Sequence, residues 1–235
     1  MAKDPAVLLA PGVWRIPLVG DFVNGFVFRD ADDQVTLLDM GLKPSGKKVM
    51  AALRWIGSDV SDVTRLLLTH AHSDHAGGAA YVAEQTGLGI GVHADDARYV
   101  RAGTVPPFGS VLGRLMARLP GNGFAGVEVA EELTDGQVLP VGGGLRVVHT
   151  PGHSPGHASY LHQESGVLVT GDAIFNVRRL RWPVRAFCTD FAMTQQTAHR
   201  LAELDYATAA FTHGPELRER PREDIRAFLA RTPTR

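Results

Sequence analysis

The stretch THAHSDHAGG places His70, His72, Asp74 and His75 within six positions. Neutral imidazole nitrogens and carboxylate oxygens bind divalent cations well, and a site that keeps open positions suits catalysis. Side chains alternate along an extended stretch, so His70 and His72 project to one side. Asp74 and His75, at a turn into a helix, reach a neighbouring point, and the spacing suits two adjacent metal ions. Three more ligand-type residues stand where strands end: His153 in TPGHSPGH, Asp172 in VTGDA and His213 in FTHGP. Glycines beside them let the backbone bend tightly and turn these side chains into a cavity.

The elements that must carry these residues are legible as patterns. GVWRIPL, FVNGFVFRD and QVTLLDMG read as antiparallel strands of one sheet. PSGKKVMAALRWIG reads as a helix with Val49, Leu53 and Ile56 on one face, Ser45 as N-cap and Gly57 as its stop. VTRLLLTHAH is a buried-type strand running into the histidine cluster, AGGAAYVAEQTG a helix after it, and GIGVHADD another short strand. A second series of strands lies in QVLPVGGGLRVVHTPGH, HASYLHQESGVLVTGD and ATAAFTHG, with helices in AMTQQTAHRLAELD and REDIRAFLARTP. Strands and helices in both halves predict an α+β, four-layer αββα sandwich, with residues 1–235 as a single domain.

Between Gly103 and Gly126 the rhythm breaks, and Pro and Gly flank a short amphipathic piece with Val111, Leu112, Leu115, Met116 and Leu119. It reads as an insertion or lid, offering Phe108, Leu112, Leu115 and Met116 to an apolar acyl group. A plain packing helix or a contact in a homodimer explains the same stripe.

Bulk properties exclude several classes. The chain has 235 residues, 44% hydrophobic and 21% charged, with a formal net charge of -1. That length and composition support a sizeable core and provide no overall basic field to attract nucleic acid or anionic lipid. The run AVLLA is too short for a signal-peptide core, and no stretch approaches a membrane span. The single cysteine, Cys188, rules out an internal disulfide and reads as a small buried hydrophobe. A cytoplasmic protein acting on a small molecule is the expectation.

The motif set resembles the metallo-β-lactamase-fold hydrolase superfamily, whose HxHxDH motif appears here as His70, His72, Asp74 and His75, with the later motifs in matching order. The resemblance implies that His70, His72 and His153 hold a first metal and Asp74, His75 and His213 a second, with Asp172 between them. Asp39 in LLDMG stands where the family places an acid near the ligands, although a turn residue before Gly41 explains it equally. His93, His149, His157, His162 and His199 lack partner motifs and read as solvated or supporting residues, with His149 and His157 close enough to His153 to hydrogen-bond a ligand.

Two divalent ions, zinc first with iron or manganese as alternatives, imply hydrolysis by a metal-bridging hydroxide, with Asp172 orienting it and Asp74 accepting a proton. The carboxylate at Asp172 argues against a true β-lactamase. TPGHSPGHASY resembles glyoxalase II, which continues into a longer helical C-terminal region, whereas about twenty residues follow His213 here. The superfamily's lactonases commonly carry a tyrosine three positions after the bridging Asp, and Phe175 lacks that hydroxyl. A small ester, thioester or lactone is the expected substrate, with Phe175 and Trp182 as substrate contacts. One arginine among Arg178, Arg179, Arg181 and Arg185 near the mouth would grip a substrate carboxylate. The competing expectations are a mononuclear iron persulfide dioxygenase and a metal-loaded scaffold that binds a partner.

Overall fold

A computed structural model describes residues 4–117 and 123–231. Four antiparallel strands, β1 (Val7–Ala10), β2 (Val13–Asp21), β3 (Asn24–Arg29) and β4 (Val35–Leu38), start the first sheet. Helix α1 (Gly46–Trp55) then crosses to β5 (Val63–Leu67), which runs parallel to β4. A single turn, α2 (Ser73–Ala76), and α3 (Ala79–Thr86) cross to β6 (Ile90–His93). Helices α4 (Ala94–Ala102) and α5 (Val111–Ala117) precede β7 (Val129–Leu133), which closes this seven-stranded sheet in sequence order β1 to β7.

The second sheet has five strands in the order β14-β11-β10-β9-β8. They are β8 (Val138–Leu139), β9 (Leu145–His149), β10 (Ala158–His162), β11 (Val167–Val169) and, parallel to β11, β14 (Thr208–Ala210). Between β11 and β14 lie a separate hairpin, β12 (Phe175–Val177) with β13 (Arg179–Arg181), and helix α6 (Phe191–Ala198). Helix α7 (Pro221–Leu229) ends the described chain.

Alternation along the strands builds the layers. Phe26 and Phe28 of β3 join Leu145, Val147, Tyr160 and Val169 in a buried core between the sheets, while Val27 faces Val49, Leu53, Val82 and Val100 from α1, α3 and α4. On the far side, Leu161 and Leu168 meet Ala198, Leu201, Ile225 and Leu229. Helices therefore cover both outer faces, the αββα order expected from the sequence. Each fully buried Leu or Phe in these layers contributes roughly 1.5–3 kcal/mol.

Several local expectations change. Ser45 makes no side-chain cap bond, because a tight turn from Lys43 through Pro44 enters the helix with Ser45 already in helical backbone. HADD is a strand end followed at once by α4, and β7 and the β12–β13 hairpin extend the strand count. In the 103–126 segment, Leu112 and Leu115 of α5 face solvent at 60% and 61% exposure and do not line the cavity with Phe108. Gly113 allows α5 to lie on the Ala186 carbonyl, which a Cβ there would meet at 2.1 Å. Leu119 lies outside the described residues.

Candidate active site

The ends of β5, β11 and β14 and the β9–β10 turn bring all seven ligand-type residues together. His70, His72 and His153 form one group of ligand atoms within 4.8 Å of one another, and Asp74, His75 and His213 form another. Asp172 lies between them: Oδ2 is 3.1 Å from His153 Nε2, while Oδ1 is 3.4 Å from both His75 Nε2 and His213 Nε2. Asp74 Oδ2 is 3.4 Å from His213 Nε2.

The Nδ1 side of the His70, His75, His153 and His213 rings is tied to the protein, which turns Nε2 inward. His75 Nδ1–H donates to Asp39 Oδ2 at 2.8 Å, and His213 Nδ1–H donates to the Phe22 carbonyl at 2.6 Å. The Thr69 hydroxyl donates to Asp39 Oδ2 at 2.8 Å and lies 3.0 Å from His70 Nδ1, whose N–H it accepts. His153 Nδ1 is 3.4 Å from the Cys188 sulfur, so this buried thiol touches a site residue as well as filling space.

Nε2 of His70, His72, His75 and His153 is buried without a hydrogen-bond partner among the described residues. Orphaned imidazole nitrogens in a protein core are costly. Their lone pairs face one another and the oxygens of Asp172, and only a cation or a proton between them satisfies that arrangement. The donor set of imidazoles and carboxylates therefore fits divalent metal ions.

The electrostatics agree. Burial lowers the pKa of His70 and His72 well below the usual histidine value, with neighbouring histidines adding to the effect. Burial opposes charge on His153 and His213 too, but Asp172 outweighs it, raising His153 to about 10 and His213 well above its ordinary value. Asp172 and Asp74 are held far below the usual carboxylate range: burial works against this, and His213, His75 and His153 around Asp172, and His75 and His213 beside Asp74, overcome it. The pocket attracts positive charge.

Supporting residues lie one step outside. His157 Nδ1–H donates to the Thr150 carbonyl at 2.9 Å, and Nε2 accepts the Asp172 backbone N–H at 2.7 Å. Gly171 is required here, since its φ is +54° and a Cβ would meet His157 Nε2 at 2.5 Å. Thr212 donates to Asp172 Oδ1 at 2.7 Å. Asp96 was not singled out by its sequence, yet it is fully buried and accepts from the Ala71 N–H, the Ser154 hydroxyl and the Gly156 N–H. It ties the His72 loop to the His153 loop. The only sequence signal was its place in the first turn of a helix that the pattern HADD concealed. Arg15 and Asn24 bind Glu216, Asp21 and the Phe211 and Gly214 carbonyls around His213. His149 instead stacks on His93 at 3.8 Å, and His162 bonds Ser165.

A cavity of about 510 Å³ opens over His72, Asp74, His153, Asp172 and His213. Its wall is apolar, with Phe22, Phe108, Phe175, Phe187, Val105 and Val184. Phe175 lines this cavity and packs on His213 with ring centroids 4.3 Å apart. Trp182 does not line this cavity: it packs on Phe228 at 4.7 Å and borders a separate groove, because β13 turns it toward α7. Arg178, Arg179, Arg181 and Arg185 are also absent from the cavity wall.

The family model described as the metallo-beta-lactamase superfamily matches residues 18–213. The chain belongs to this superfamily. A probable metallo-hydrolase of Bacillus subtilis, YybB, is 28% identical over 206 residues, covering 86% of this chain and 83% of that protein. A hydroxyacylglutathione hydrolase of Cereibacter sphaeroides is 30% identical over 68% of this chain but only 50% of its own length. The subclass B3 metallo-β-lactamase BJP-1 of Bradyrhizobium japonicum superposes with a TM-score of 0.69 over 90% of this chain and 78% of its own, at 21% identity, and shares the fold. Within this metallo-hydrolase superfamily, no described helix here is long and apolar enough to cross a membrane.

Proposed function

We propose that the protein is a dinuclear metal hydrolase that cleaves an ester, thioester or lactone with an apolar acyl part. His70, His72 and His153 would hold one divalent ion, zinc by donor chemistry, and Asp74, His75 and His213 the other. The observation that carries this is the placement of Asp172, with one carboxylate oxygen toward each group. Bound divalent ions would acidify water and polarise the substrate carbonyl.

The chain's own residues do the rest. Asp172, fixed by His157 and Thr212, orients the attacking water. The water oxygen bonds to the acyl carbon and the bond to the leaving oxygen or sulfur breaks. Asp74 accepts the water's proton and returns it to the leaving group. Its side chain is 33% exposed and reaches the cavity, whereas Asp172 is buried. The apolar wall excludes water from the acyl chain and, with no Lys, Arg or Tyr among its lining residues, selects an uncharged acyl part. The mononuclear iron alternative would leave the intact Asp74, His75 and His213 group without a role.

Metal analysis of protein purified without added metal, run beside a screen of p-nitrophenyl esters, lactones and thioesters, tests this. Two ions per chain with ester turnover, and loss of turnover in Asp172→Asn at retained thermal stability, are expected. One iron per chain with oxygen consumption on glutathione persulfide would overturn it.

A further inference from the structure

The β12–β13 hairpin carries a cationic groove that the chemistry above leaves unused. Arg178, Arg179 and Arg181, with Val177 and Trp182, line a hollow of about 580 Å³. The three arginines are exposed, and among the described residues none meets a carboxylate at ion-pair distance. The local sequence explains this, because no Asp or Glu occurs between Asp172 and Asp190. On a chain whose formal net charge is -1, so dense an unpaired positive patch is a local feature rather than an overall field. Arg178 also takes a φ of +65° at the hairpin tip, which holds the strands in a tight turn.

Register relates this groove to the cavity wall through Phe175. Phe175 pairs with Arg181 and Val177 with Arg179. Directly opposed residues of an antiparallel pair share one face, so Phe175, Val177, Arg179 and Arg181 lie on the same side of the hairpin. Phe175 lines the cavity against His213, and Val177 and Arg179 line the groove one residue pair further, roughly 7 Å along the strand. Phe175 of the cavity wall and Val177 and Arg179 of the groove thus follow one another along one face of the hairpin. Arginine forks match phosphate oxygens, two N–H donors to two oxygens, better than any other side chain. The half-buried indole of Trp182 adds a flat wall to the same hollow.

We infer that this arginine groove is a subsite for the phosphate-bearing leaving group of an acyl thioester, the acyl chain occupying the apolar cavity. The inference rests on the hydrolase reading above. The reaction consumes one water: its oxygen bonds to the acyl carbon, the carbon–sulfur bond breaks, and the thiol leaves with the proton. An upstream step that makes acyl thioesters on a phosphorylated carrier must supply the substrate.

The test compares hexanoyl-coenzyme A with hexanoyl-N-acetylcysteamine, the same thioester without phosphates, on the metal-loaded full chain. We expect kcat/KM for the coenzyme A thioester to be at least tenfold higher at low salt and to fall toward the other as salt rises. Arg179→Ala with Arg181→Ala should lower it about tenfold more for the coenzyme A thioester than for the uncharged one. Equal kcat/KM on both thioesters, or equal loss in the double variant, would overturn the subsite. Calorimetric titration with coenzyme A and with pyrophosphate separates this from the parent reading. Coenzyme A binding that weakens in the double variant supports the subsite even if no ester is turned over. Absence of coenzyme A binding, or binding of pyrophosphate alone, overturns it even if esters are hydrolysed.

Discussion

Asp39 Oδ2 lies 2.8 Å from His75 Nδ1, with both side chains fully buried, and the same carboxylate takes the Thr69 N–H and hydroxyl. One acid thus fixes the ring of His75 and, through Thr69, that of His70. Its φ of +58° is tolerated by Asn, so Asp39→Asn removes the charge without backbone strain. Metal affinity should fall roughly 10–100-fold, as for other residues that orient a ligand. Competition with a chromogenic chelator measures it, and an unchanged affinity would leave Asp39 as a turn residue only.

His157 is held neutral in the core, with burial lowering its pKa to about 3. An unfolded chain protonates the same ring near 6.5. The unfolded state therefore binds more protons between those values, so this residue's contribution to stability is complete above about 6.5 and is lost as pH falls toward about 3. His157→Gln should reduce the slope of unfolding free energy against pH, between pH 6 and 4, by up to about 1.4 kcal/mol per unit. Parallel stability curves for the two proteins would refute the assignment, and turnover should drop as Asp172 loses its backbone anchor.

The seven-residue cluster and the layer order were legible because both rest on strong local signals. Apolar strands end in Gly-flanked His or Asp, and β10 and β11 are fully buried runs. What escaped notice lacks such a signal. In β7, VAEEL alternates half-buried and exposed residues at a sheet edge. In the arginine hairpin the charges sit at the Arg178 tip and on β13, where Arg179 and Arg181 are exposed and Leu180 is half-buried, so that stretch of sequence resembles a solvated loop. Asp96 was hidden because its importance lies in three hydrogen bonds to distant loops, a relationship that only the folded chain creates.

Filling the site with metal should stabilise the fold, since four buried Nε2 atoms gain a partner. At a free metal concentration about 100 times the dissociation constant, the gain is roughly 2.7 kcal/mol. For a chain of this size that corresponds to a rise in Tm of about 5–10 °C. Treatment with chelator should reverse it, and His72→Ala should shrink it. Melting curves that coincide with and without chelator would contradict metal binding by this cluster.

Phe108 lines the apolar cavity that the proposed reaction assigns to the acyl part. Its ring stands 5.3 Å from His72 and 5.7 Å from Phe187, so it occupies space between the reaction centre and the outer wall. Each methylene moved from water into an apolar wall gains about 0.8 kcal/mol, so kcat/KM should rise about fourfold per added carbon until the cavity is full. Phe108→Ala should move the optimum to longer acyl chains and weaken short ones, because the enlarged cavity leaves a short chain with fewer contacts. Phe108→Trp should move it the other way. A p-nitrophenyl ester series from acetate to decanoate reads both shifts. If the three proteins show the same chain-length profile while remaining folded, the acyl part does not lie against Phe108, and the apolar wall is packing rather than specificity.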